Sequence, residues 1–275
     1  MSPWWRDQVR IFVSPQRLVA VRRAHGLRPV LAARHAVNID AHGDDHGPAL
    51  AALAELLRDP KWQQADAVVL LSNRFARYQL LPWTDAVLNA EEQAARARRQ
   101  FAQAHGDIAP TLDLRSSDGG FGAPAMVSGV SRELLARLRD TFAASNVRLV
   151  SVQPYLMTAF NECRAELRRG AHWFAVVESG SLCTALVTGG RWASLRTRRI
   201  GGEWNEELLL ALHRQSVADD EGPEARSVII HAADEAPEAW PAQAGWTVRQ
   251  LRSPAQAHAA ATGGRPYGLA LAGTR

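Results

Sequence analysis

Apolar residues along this chain fall mostly into short runs with strand character, broken by a few stretches with helical spacing. Three strand-like runs open it: Val9 to Val13, Leu18 to Arg22 and Val30 to Ile39. Turn-forming residues separate them at Ser14-Pro15-Gln16 and at His25-Gly26. From Pro48 to Arg58, Leu50, Leu53, Leu56 and Leu57 recur at the spacing of one helix face. Ala67 to Leu71 is then apolar without alternation, as in a central strand covered on both faces.

The same order returns in the second half of the chain. Trp173 to Val177, Leu182 to Val187 and Trp192 to Arg198 are strand-like, with breaks at Ser179-Gly180-Ser181 and Thr188-Gly189-Gly190-Arg191. A helix is expected from about Glu203 to Val217, with Trp204, Leu208, Ala211 and Leu212 on one stripe. The apolar run Ser227 to His231 follows, then a strand at Trp246 to Leu251 and an Ala-rich helix. Hairpins followed by a crossover helix predict mixed sheets flanked by helices, an α/β fold.

Further elements lie between the two copies. A strand at Tyr78 to Trp83, a charged helix at Glu91 to His105, and strands at Thr111 to Arg115 and Ala125 to Val130 suggest a small α+β insertion. A glycine-rich loop, Asp118 to Gly122, joins the last two strands. An amphipathic helix from Arg132 to Ala144, a strand at Leu149 to Val152 and a helix at Tyr155 to Leu167 complete the first half. The expected organisation is residues 1–75 and 147–169 as the first half, 76–146 as the insertion and 170–275 as the second half.

Composition narrows the class. The chain has 275 residues, 47% of them hydrophobic and 22% charged, a balance that can support a buried core. No secretory leader pattern and no membrane-length apolar run is visible, so a cytoplasmic protein is expected. Two cysteines, Cys163 and Cys183, cannot make a disulfide framework and read as buried thiols. The net charge of +4 is carried almost entirely by scattered arginines, without the basic and aromatic interleaving of a nucleic-acid surface.

The duplicated layout, without sequence similarity between copies, resembles the superfamily of actin, sugar kinases and heat-shock ATPases. Within it, the runs RYQLLPW (77–83), EEQAARARRQF (91–101), TLDLR (111–115) and AMVSGVSRELLARLRDTFAASNVRLVSVQPYLMTAFNE (125–162) resemble the PilM, MshI and GspL cytoplasmic-domain group. The likeness extends loosely over residues 8 to 273. It implies an actin-like duplicated ribonuclease-H-like fold and a scaffold role in a type IV pilus, mannose-sensitive haemagglutinin pilus or type II secretion assembly platform. It further implies a location at the inner face of the bacterial inner membrane, with membrane association only through partners. GspL relatives continue into a transmembrane helix, so the soluble PilM or MshI arrangement is the closer expectation. The implied partner is the N-terminal cytoplasmic peptide of a PilN-like inner-membrane protein, with a secretion or pilus ATPase engaged indirectly. Tyr78, Leu80 and Leu81 on the inserted strand are the candidate groove residues.

What the resemblance implies about nucleotide chemistry can be tested residue by residue. An active ATPase of this fold carries an acid and glycines in each of two hairpin turns, for a magnesium ion and phosphate oxygens. The first turn reads Ser14-Pro15-Gln16-Arg17, without acid or glycine, leaving only Arg17 to meet a phosphate. The second reads Glu178-Ser179-Gly180-Ser181, where Glu178, Gly180 and Ser181 are a half-preserved phosphate turn or a plain β-turn. Where the base would approach a Gly-Gly pair, the chain has His231-Ala232-Ala233-Asp234. Gly201-Gly202 opens the following helix, either as an anion-friendly terminus or as a hinge out of the strand. No catalytic residue and no obligatory cofactor is expected; ATP with magnesium stays open as a weak ligand, and so does an ATPase or kinase reading.

Two other constellations were weighed. His35, His42 and His46 with Asp40, Asp44 and Asp45 read as a solvated loop rather than a metal site. Among nine tryptophans, Trp173 and Trp204 fall on core stripes; Trp4, Trp5, Trp62 and Trp83 sit at segment ends, where complete burial is harder, and read as caps on the core under loops rather than as interface anchors.

Overall fold

The computed structural model describes residues 6–26, 30–41, 43–86, 88–117, 119–201, 203–218, 226–232, 246–261 and 264–273. Strands are numbered in chain order. The first sheet contains β1 (Gln8–Val13), β2 (Arg17–Arg23), β3 (Leu31–Asn38), β4 (Ala65–Leu71) and β8 (Val147–Pro154), in the order β3-β2-β1-β4-β8. The second contains β9 (Ala171–Glu178), β10 (Ser181–Thr188), β11 (Arg191–Arg199), β12 (Ser227–Ala232) and β13 (Thr247–Gln250), in the order β11-β10-β9-β12-β13. The two orders are the same. In each sheet an antiparallel three-strand meander is extended by two parallel strands.

The apolar patterns explain these positions. β1, β4, β9, β10 and β12 are buried almost continuously, because helices cover both faces of a central strand. The edge strand β3 alternates strictly between half-buried and exposed residues, and the edge strand β13 does the same over four residues. The α1 helix (Gly47–Arg58) buries Leu50, Leu53, Leu56 and Leu57, the stripe read from sequence. In the second half, Trp204, Leu208, Ala211 and Leu212 of α5 (Trp204–Ala218) pack with Trp173, Leu182 and Ile230. Each such buried side chain contributes roughly 1.5–3 kcal/mol relative to exposure.

Chain packing groups the molecule into two compact units. One comprises 1–75, 132–161 and 252–275, and the other 76–131 and 162–251. The first holds the β1–β4 and β8 sheet, α1, α3 (Arg132–Ala143), the start of α4 (Tyr155–Leu167), α6 (Pro254–Ala261) and α7 (Gly268–Leu271). Here α3 packs on α1 and β8. The second holds the β9–β13 sheet, α5 and the insertion.

That insertion is an antiparallel three-stranded sheet of β5 (Ala76–Leu81), β7 (Ala125–Ser131) and β6 (Leu112–Ser117), with β7 central, covered on one face by α2 (Ala90–His105). An Asn89 capping box starts α2: the Asn89 side chain accepts from the Glu91 and Glu92 amides, and the Glu92 carboxylate accepts from the Asn89 amide. Phe101 of α2 lies so close to β7 that a Cβ at Gly129 would sit 2.9 Å from its ring. β5 stops at Leu81 rather than Trp83, since Pro82 has no N–H for a ladder.

A buried cation holds the C-terminal segment onto β1. Arg10, 6% exposed, donates from Nε to the Ala270 carbonyl at 3.1 Å and from a second guanidinium nitrogen to the Ala272 carbonyl. Gly273 follows with φ +75°, and a Cβ there would meet the Thr158 methyl at 2.7 Å. Charge-assisted hydrogen bonds of this kind are worth about 1.5–3 kcal/mol. Arg10→Met is therefore expected to lower unfolding stability by about 2 kcal/mol in a urea titration. A midpoint equal to wild type would show that α7 docks by apolar contact alone.

Candidate functional site

The β1–β2 turn is closed upon itself. The Ser14 amide donates to the Arg17 carbonyl at 2.9 Å, and the Arg17 amide donates to Ser14 Oγ at 2.9 Å. Ser14 Oγ in turn donates to the Arg17 carbonyl at 2.9 Å. Pro15 has no N–H to offer, and the Gln16 carbonyl accepts from Ile39. The Ser14 and Arg17 amides are thus engaged inside the turn. Next to it, the segment after β4 supplies a buried polar trio that sequence reasoning passed over: Ser72, Asn73 and Arg74. The Ser72 amide donates to the Val13 carbonyl, Ser72 Oγ accepts from the Arg74 amide, and Asn73 Oδ1 accepts from the Leu156 amide at the start of α4. These side chains link β1, β4 and α4.

The β9–β10 turn is built differently. Glu178 and Ser181 oppose each other across it, with Ser179 and Gly180 as the turn residues and Gly180 at φ +71°. The Gly180 carbonyl accepts from the Ile200 amide at 3.2 Å, fixing the turn against the chain that leaves β11. Glu178 and Ser181 are 4% and 2% exposed. Burial, and then the Glu178 charge, push the Cys183 thiol well above its ordinary range. Cys163 is pushed up to about 12 by burial and by Glu162 and Glu166. Both cysteines are buried thiols without thiolate character, as expected from their number and setting.

No protein-family model matches the chain, and no curated protein matches it in sequence. Among solved structures, a PilM–PilN type IV pilus biogenesis complex superposes with a TM-score of 0.66 at 13% identity, covering 98% of both chains. The cytoplasmic domain of EpsL, an inner-membrane component of the type II secretion system of Vibrio cholerae, superposes with a TM-score of 0.60 at 14% identity, covering 93% of this chain and 95% of that one. A Bacteroides thetaiotaomicron protein with an actin-like ATPase fold gives 0.56 at 9% identity, covering 86% and 87%. The fold is actin-like.

A second polar contact lies at the end of β12. His231, 1% exposed, lies 2.7 Å through Nε2 from Glu162 Oε2 on α4. Sequence reasoning weighed only the alanines that follow. The dyad was not legible, because its members lie 69 positions apart. Ala232 is buried, while Ala233, Asp234 and Gly202 lie outside the described residues. Gly201 has open space where a Cβ would sit, so steric crowding does not demand a glycine there.

Other expected residues find clear places. Arg17 lies in the first unit, while Glu178, Gly180 and Ser181 are brought together in one turn of the second. Tyr78 and Leu81 are buried, and Leu80 is half-buried. Leu81 faces the α2 core, while Tyr78 and Leu80 share the opposite face of β5. The acidic loop residues have structural duties: Asp44 pairs with Arg74, and Asp45 accepts from the Gly47 amide at the head of α1. His42, Asp118, Trp4 and Trp5 lie outside the described residues. Trp62 is fully buried at its segment end, as a cap on the core, while Trp83 stays 41% exposed.

The Glu162–His231 contact is expected to support the fold. Glu162→Ala removes the carboxylate from a buried imidazole and should cost about 1–3 kcal/mol in urea unfolding. Full retention of stability would make the contact incidental.

Proposed function

We propose that the chain is a non-catalytic scaffold of a pilus or secretion assembly platform, which captures a short extended segment of a membrane protein. The observation that carries this reading is the self-closed β1–β2 turn, whose amides are consumed by Ser14 and Arg17 and which has no acid for a metal ion. The contact of His231 with Glu162 at the β12 end supports it further. The fold likeness to PilM, solved with PilN, and to EpsL spans nearly the whole chain and supports the same class of role. Among the described residues, no helix is long and apolar enough to cross a membrane, so attachment at the inner face of the inner membrane would run through the captured partner.

In this reading β5 contributes to the groove, with the half-buried Leu80 as its accessible apolar residue. An extended segment would be held by backbone hydrogen bonds and alternate side-chain pockets. The β9–β10 turn favours a second reading, a nucleotide-dependent ATPase or kinase in which Glu178 serves the metal and Gly180 and Ser181 meet phosphate.

Two titrations of the purified chain separate the readings. With ATP and magnesium, calorimetry is expected to show no saturable heat up to millimolar nucleotide. Magnesium-dependent binding that disappears in Glu178→Ala would establish the second reading instead. With a synthetic N-terminal peptide of a PilN-like protein, saturable binding is expected, weakened at least tenfold by Leu80→Asp. Unaltered binding by that variant would remove β5 from the groove.

A further inference from the structure

The second sheet carries a pocket at the end of its strands remote from the β9–β10 turn. His172 lies near the start of β9, and Ser227 and Thr247 begin β12 and β13. The parallel register runs from Val228 opposite Trp173 to Ala232 opposite Val177, so the turn at Glu178 and Gly180 sits at the other end of the same strands. The pocket has a volume of about 640 Å³, within the range of small-molecule sites. Its wall is the end of α4 and the connection to β9, and Ile229 and Ala165 supply an apolar part.

Its polar lining is strongly cationic. Arg168, Arg169 and Arg249 line it, against one carboxylate, Glu166, which pairs with Arg249. Arg168 and Arg169 are exposed and have no ion-pair partner among the described residues. The rim is organised by His172. Its Nε2 lies 2.6 Å from the Arg169 carbonyl, which can only accept, so Nε2 carries the proton. Nδ1 lies 3.0 Å from Ser227 Oγ, a hydroxyl that can donate to it or accept from it. This locks the arginine-bearing connection to the first residue of β12. The carbonyl end of α4 is a weak negative dipole pole, and two unpaired guanidiniums outweigh its roughly half charge.

We propose that this pocket binds a phosphate-bearing ligand. Guanidinium forks match phosphate oxygens in geometry as well as charge, and the Thr247 hydroxyl stands beside them as an additional donor. A phosphate group reaches such a pocket either on a small soluble molecule or on the headgroup of an anionic lipid. Its place at the amino ends of β9 and β12 separates it from the β9–β10 turn at the other end of the same sheet. The inference does not rest on the scaffold reading.

The test uses the full chain at fixed ionic strength, with pyrophosphate in calorimetry and phosphatidylglycerol vesicles in co-sedimentation. The Arg168→Ala/Arg169→Ala double variant removes two exposed, unpaired side chains, and its melting curve should match wild type. Arg196→Ala/Arg198→Ala, on β11, makes the same change of charge elsewhere. Pyrophosphate binding that falls at least tenfold in the pocket variant and less than twofold in the β11 variant supports the site with a soluble ligand. The same pattern seen only with vesicles supports it with a lipid headgroup. Binding of neither probe, or an equal loss in both double variants, overturns the proposal.

Discussion

Parallel pairing of β1 with β4, repeated as β9 with β12, is the constraint from which the rest of this molecule follows. Parallel neighbours cannot be joined by a tight turn, so each pair needs a crossover, supplied by α1 in the first sheet and α5 in the second. Central strands covered on both faces must then be apolar along their whole length. This is why β4 and β12 read as unbroken runs, and why alternation survives only at edges such as β3.

Parallel strands that start together also end together, and their carboxyl ends form the place where ligands of open α/β sheets are usually received. In this chain those ends have been finished with protein groups. Ser14 satisfies the first turn from within, and Asn73 ties the end of β4 to the start of α4. In the second sheet, Glu162 reaches from α4 to His231 at the end of β12. Each contact gives a buried polar group a partner within the chain.

The architecture was legible because periodicity reports how many faces of an element are covered. Leu50, Leu53, Leu56 and Leu57 announced α1, and the Ser-Gly and Gly-Gly breaks announced the β9–β10 and β10–β11 hairpins. The missing acid and glycine of the first turn were equally plain, since both are matters of residue type at one place. Pairings between distant segments were not legible. Arg10 meets carbonyls some 260 positions away, and nothing local to Arg10 distinguishes it from a surface arginine on an edge strand.

The two ends of the second sheet are therefore chemically opposed. At the carboxyl end, a half-buried acid meets a buried imidazole. At the amino end, arginines stand exposed around open space. Helix α4 accounts for both, because it lies along the sheet and places Glu162 near one end and Arg168 and Arg169 just beyond the other. A helix of fixed rise carries that separation rigidly. Whatever engages the arginines is thereby held apart from the turn at Glu178, and the two ends are free to serve different ligands.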